Sequence, residues 1–126
     1  MENMERRQSH RFIVGLECSL YFKNKDKTIE EFCGKIEDVS ETGVKVGISE
    51  KDVPEIKNII EIGDEILFQS ADDHDIADES RIDVLIGEAK VVRIEEKDNN
   101  ILLACTINNA YQEFYDYIDY KEVEEK

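Results

Sequence analysis

Short runs of alternating apolar residues, each stopped by a polar or glycine-bearing turn, recur along most of this chain and limit what it can become. Leu16, Cys18, Leu20 and Phe22 alternate loosely, and the polar stretch Lys23-Asn24-Lys25-Asp26-Lys27 follows as a hairpin loop. Ile29 to Val39 forms a second run, and beyond Gly43 the residues Val44, Val46 and Ile48 repeat the period of two. Ile62-Gly63-Asp64 leads into a strand from Glu65 to Gln69. Ile82 to Ile94 gives a long strand, and Asn99-Asn100 marks a turn into Ile101 to Ile107. A period of two places every second side chain on one face, which is the pattern of strands with one buried side. Helical spacing occurs in two places only. Ile56, Ile59 and Ile60 suggest a short turn of helix in the connection at 49–63, which holds the single proline, Pro54. Tyr111, Phe114, Tyr115 and Ile118 fall at i, i+3, i+4 and i+7, with Asn108 or Asn109 as the expected N-cap. Strands followed by one helix predict an all-β fold, a small antiparallel barrel whose open end the aromatic stripe closes. If part of that stripe stays exposed, it offers a surface to a partner.

The 126 residues suit a single domain large enough to bury a core without staples. Cys18, Cys33 and Cys105 stand singly, with no CxxC, as expected of buried thiols in a reducing cytoplasm. No apolar stretch approaches the roughly 20 residues of a membrane span. The N-terminus MENMERRQSHR lacks the apolar centre of a signal peptide, so the expectation is a cytoplasmic protein without membrane insertion. With 31 acids against 16 bases the net charge is −15, which repels polyanions and argues against DNA or RNA as partners. Residues 70–80, SADDHDIADES, read as a solvated acidic loop. Their carboxylates and His74 lack the spacing of a calcium loop and a second histidine, so no metal site is expected.

Against this acidic background, Arg6, Arg7 and Arg11 gather three of the five arginines into the first eleven residues. The other feature is Asp38-Val39-Ser40-Glu41-Thr42-Gly43, a strand running into a tight turn. Asp38 and Ser40, two apart, should leave one face of the sheet while Val39 takes the other. Gly43 should supply a positive φ and a backbone clear of side chains. The two features are chemically complementary. An arginine fork takes phosphate, pairs with guanine O6 and N7, and stacks on a purine. A carboxylate such as Asp38 suits the other guanine edge, where N1–H and the exocyclic amine are donors; Ser40 and the Gly43 backbone could complete that recognition.

R-x-x-x-R at Arg7 to Arg11, followed by D-x-S-x-x-G at Asp38 to Gly43, resembles the paired signature of PilZ domains, bacterial receptors for cyclic di-GMP. The resemblance covers nearly the whole chain from Arg6 and includes Gly87 to Arg93 (GEAKVVR), similar to a family strand that opens on glycine and ends on arginine. It implies a six-stranded antiparallel barrel with a C-terminal helix: an N-terminal ligand-binding arm at 1–12, the barrel at 13–107 and the helix at 108–124. It implies that Arg7 and Arg11 grip phosphates and guanine faces from a flexible arm, while Asp38, Ser40 and Gly43 hold a guanine on the barrel wall. Arg6, just before the motif, resembles the variant that binds a stacked pair of ligands. The last strand departs from the family pattern, reading ILLACTI where a glycine and a phenylalanine are common.

The expected function is therefore a cyclic di-GMP receptor and adaptor with no catalysis and no cofactor. Because the signature begins at residue 6, the reading leaves no room for an output domain and expects signalling in trans to an unidentified protein effector, in motility, biofilm or polysaccharide output. Ligand-dependent dimerisation stays open. The alternative is a PilZ-like interaction module that binds protein and no nucleotide. A catalytic reading of His10, Ser40 and Asp38 lacks a nucleophile-elbow pattern, so no enzyme is expected.

Overall fold

The computed structural model describes residues 11–23, 29–76 and 79–124. Arg6, Arg7, His10 and the 24–28 part of the expected first hairpin loop lie outside the described residues. Six antiparallel strands, β1 (Phe12–Lys23), β2 (Ile29–Val39), β3 (Gly43–Ile48), β4 (Glu65–Ile76), β5 (Glu79–Lys97) and β6 (Asn100–Ala110), close into a barrel in the order β1-β2-β3-β6-β5-β4. A 3₁₀ turn at Glu50–Asp52 and the single-turn helix α1 (Val53–Ile56) bridge β3 to β4, burying Val53 and Ile56. Helix α2 (Gln112–Glu124) follows β6 and lies against β5.

The strand registers explain where the core sits. Phe12 pairs with Val39, Val39 with Val44, Val44 with Cys105, and Cys105 with Val91, and all five are buried. That inward row is the floor beneath the segment at 38–43. Further rows of Leu20, Phe32, Ile36, Val46, Phe68, Leu85 and Leu103 fill the barrel. Burial of this many apolar side chains, each contributing about 1.5–3 kcal/mol, is the main favourable term of the fold.

Two irregularities interrupt the alternation near the barrel's start. Relative to β3, β2 carries an extra residue at Glu37, so that Ile36 pairs with Val46 and Asp38 with Lys45. β1 is shifted against β2 between Ile13 and Leu16, where Gly15 has φ +61°. Such bulges switch which residues face inward. Ile36 and Val39, three apart, are therefore both buried, while Asp38 points out.

Several sequence expectations need correction. The supposed acidic loop at 70–80 is mostly strand: Ser70 to Ile76 pair in register with Glu79 to Leu85 and extend β4 and β5 into a two-stranded ribbon. Polar composition suggested a loop, but backbone pairing does not require apolar side chains. The β5–β6 turn lies one residue early: Asp98 and Asn99, both at positive φ, are its central pair, and Asn100 already pairs with Lys97. Two positive φ values suit a two-residue hairpin because that twist matches the flanking strands. Asn108 and Asn109 belong to β6 instead of capping α2. On α2 the buried face is Phe114, Tyr117 and Ile118, whereas Tyr111 precedes the helix and is 60% exposed. Cys33 is exposed, and only Cys18 and Cys105 are buried.

Gly87 shows how α2 is seated. It pairs with Phe68, whose ring lies across the missing side chain: a Cβ at Gly87 would stand 2.7 Å from Phe68 Cζ and 3.0 Å from the Asn109 carbonyl oxygen. The ring cannot give way, being fully buried and packed edge-on against Phe114 at 5.9 Å. Gly87→Ala should therefore cost about 1–3 kcal/mol, read as a lower urea midpoint with an unchanged slope.

Burial pushes the Cys18 thiol from 9.0 up to about 12, with the nearby Cys33 adding to the shift, and burial does the same to Cys105. A thiol whose folded pKa is raised stabilises the fold fully below its unfolded value and loses that contribution as pH climbs toward the folded one. Stability should thus decline from about pH 9 toward pH 12. At pH 8, a colorimetric thiol reagent should label Cys33 quickly and reach Cys18 and Cys105 only after denaturation.

Candidate functional site

The outward row that backs the buried one runs Ile13, Asp38, Lys45, Ala104, Arg93, on strands β1, β2, β3, β6 and β5 in turn. The bulge at Glu37 puts Asp38 in this row. Its carboxylate is partly sheltered, with the side chain 19% exposed against 46% for Arg11. Arg11 stands just ahead of β1 and lays its guanidinium on that carboxylate, with Nη2 2.6 Å and Nε 2.8 Å from Oδ1. Its third nitrogen, Nη1, lies only 3.4 Å from where a Gly43 Cβ would be. The guanidinium thus covers both Asp38 and the bare backbone at Gly43.

Beneath it, Ser40 is fully buried. Its N–H donates to the Gly43 carbonyl at 2.9 Å, and its Oγ accepts the N–H of Gly43 at 3.0 Å and that of Thr42 at 3.3 Å. The hydroxyl also lies 3.4 Å from the Gly43 carbonyl, as a weak donor. The Thr42 carbonyl accepts the Ile107 N–H at 2.9 Å, which ties the turn to β6. The expected ledge, with Asp38 and Ser40 side by side, is therefore corrected: Ser40 has left β2 and turned into the loop it stabilises. Gly43 is corrected too. Its φ is not positive; the positive-φ glycines among the described residues are Gly15 and Gly63. Glycine is needed here for close approach, since a Cβ would stand 3.0 Å from the Cys105 carbonyl oxygen and would press on Arg11.

Of the sequence-derived site residues, the structure brings together Arg11, Asp38, Ser40 and Gly43, while Arg6 and Arg7 lie outside the described residues. Sequence reasoning missed Lys45 and Ile13. Lys45 follows Gly43 by two residues, so strand periodicity alone could have placed it on the same face. Ile13 is 87% exposed beside Asp38, an apolar side chain left in water at the rim of a polar site. Arg93 enters the row only through barrel closure, and its guanidinium is held by Glu95, at 2.8 Å from Nε and 2.6 Å from Nη2. Lys45 Nζ lies 4.0 Å from the same carboxylate. From Lys45 an open groove of about 1020 Å³ continues past Gly47 toward Lys35 and Lys51.

Residues 5–113 match the family model described as PilZ domain. This chain belongs to the PilZ domain family. Among solved structures, the PilZ chain is similar in fold to that titled "Structure of Bacillus subtilis Inhibitor of motility (MotI/DgrA)", with a TM-score of 0.67 and 15% sequence identity. The match covers 100% of this chain and 56% of that chain, so the PilZ chain spans a little over half the length of that neighbour. No curated protein matches it. No helix among the described residues is long and apolar enough to cross a membrane.

Removing the Ser40 hydroxyl would leave the buried Gly43 N–H without its acceptor. Ser40→Ala is expected to cost about 1–3 kcal/mol of stability in chemical denaturation. Since Ser40 acts through the turn, Ser40→Thr, which retains the hydroxyl, should restore part of it if the extra methyl is accommodated.

Proposed function

We propose that this PilZ domain is a receptor for cyclic di-GMP that works as an adaptor, without catalysis and without a cofactor. The observation that carries the reading is the Asp38 carboxylate, turned outward by a bulge beside a bare Gly43 backbone and already engaged by an arginine. The carboxylate accepts the N1–H and exocyclic amine of guanine, and the open backbone lets the flat base approach. Arg11, and Arg7 from the preceding segment, provide forks for the phosphates and for the acceptor edge of the base. Arg6 extends this basic cluster and favours a second, stacked ligand. Lys45 adds a positive charge, and the groove beyond it, lined by Glu17 and Glu37 as well as Lys35 and Lys51, adds room. On an acidic chain, this local concentration of bases is what draws a dianion to one place.

The ligand then changes the surface that Arg7 and Arg11 form, and a protein partner reads it in trans. The neighbour titled an inhibitor of motility makes a motility output one that this architecture can host; for this chain the proposal stops at a protein partner and leaves ligand-bridged dimerisation open. Three free cysteines suit a reducing cytoplasm.

Calorimetric titration of cyclic di-GMP into the wild type, Asp38→Ala and the double variant Arg7→Ala/Arg11→Ala tests the reading. Expected is binding in the micromolar range or tighter, weakened by added salt and reduced by more than about tenfold in each variant, as loss of a charge-assisted contact requires. A stoichiometry near two ligands per chain would support the role of Arg6. No heat from ligand-free wild type, with equilibrium dialysis equally silent, would overturn the receptor reading.

A further inference from the structure

We infer that Arg11 holds the guanine site in the ligand-free protein as an internal surrogate of the guanine edge, so that a ligand must displace it from Asp38. This inference rests on the reading of Asp38 as the guanine acceptor. The argument is one of donor geometry. Arginine Nε–H and Nη2–H hang from one planar carbon and point the same way; guanine N1–H and its exocyclic N–H do the same. Arg11 presents that pair to Asp38 Oδ1, at 2.8 and 2.6 Å. Its remaining nitrogen lies over Gly43, the bare backbone that a flat base would also cover. One guanidinium therefore takes up one oxygen of the carboxylate and lies against the bare backbone beside it.

The contact is weak enough to yield. Arg11 is nearly half exposed, and ion pairs at such positions are screened by water and salt. What replaces it must offer the same paired donors to the carboxylate. A guanine does so. An adenine, which presents a ring acceptor at the corresponding position, would leave Asp38 facing a lone pair. Arg11 thus sets a chemical threshold for entry, and once displaced its fork is freed for a phosphate or for the guanine acceptor edge. Its backbone neighbour Phe12 is anchored in the barrel's buried row, so the change of partner occurs in the side chain while the start of β1 stays fixed.

The test follows the Arg11 Nε–H signal by nitrogen-15 NMR with labelled arginine, using GMP and AMP as probes. In the free protein the signal should be distinct and protected, and it should collapse toward that of solvated arginine in Asp38→Asn. Millimolar GMP should move it in the wild type, with AMP at least about tenfold weaker, as expected when one base satisfies the acceptor and the other leaves it unpaired. A signal insensitive to Asp38→Asn would overturn the surrogate contact. A signal that neither nucleotide moves, or that both move equally, would overturn displacement by the paired-donor edge. Because the probes are mononucleotides, a silent cyclic di-GMP titration would remove the receptor reading while the response to GMP still decides this one.

Discussion

A single extra residue in β2 decides what this barrel can present. The strand approaches the bulge with Ile36 inward, and unbroken alternation would send Asp38 inward as well, between apolar neighbours. An unpaired carboxylate there would cost several kcal/mol or be forced to protonate. Glu37, unmatched on β3, shifts the alternation by one, so that Val39 completes the buried row and Asp38 joins the outer one. Core packing and the outward placement of Asp38 are satisfied by the same irregularity, and neither could change register without the other.

The turn that follows separates two tasks within one short motif. Ser40 serves the backbone: its hydroxyl occupies the space inside the turn and accepts the N–H groups of Thr42 and Gly43. Gly43 serves access, because the strand beside it leaves no space for a Cβ and the guanidinium above it rests on bare backbone. Asp38 faces outward, where Arg11 engages its carboxylate. The motif is thus a hydrogen-bonded turn beside an outward carboxylate, with backbone and side chain each given a separate part.

Much of this was legible in the sequence because strand periodicity is a short-range signal. The runs around Leu20, Ile36, Val46 and Leu103 announced their buried faces, and the order of elements led to a barrel followed by a helix. The arginine cluster and the Asp38–Gly43 segment stood out as chemistry without a structural need. What escaped was set by contacts distant in the chain. The inward turn of Ser40, and the reason for glycine at 43, depend on how the turn docks against β6. The seating of α2 through Tyr117, in place of Tyr111, depends on the helix starting after β6 has run on to Ala110. The stretch at 70–76 was misread because polar composition suggests a loop, and polar composition does not forbid pairing.

That stretch has a consequence of its own. Beyond Ser70, β4 has left β1, and before Gly87, β5 has not yet met β6, so the ribbon formed by the two is paired only within itself among the described residues. A barrel is the architecture that abolishes free strand edges, and this one reintroduces two of them at its rim. Asp72, Asp73, Asp75, Asp78, Glu79 and Asp83 fall within this segment, with Arg81 the one arginine and no lysine against them. The two unpaired edges therefore lie in an acidic stretch of the sequence.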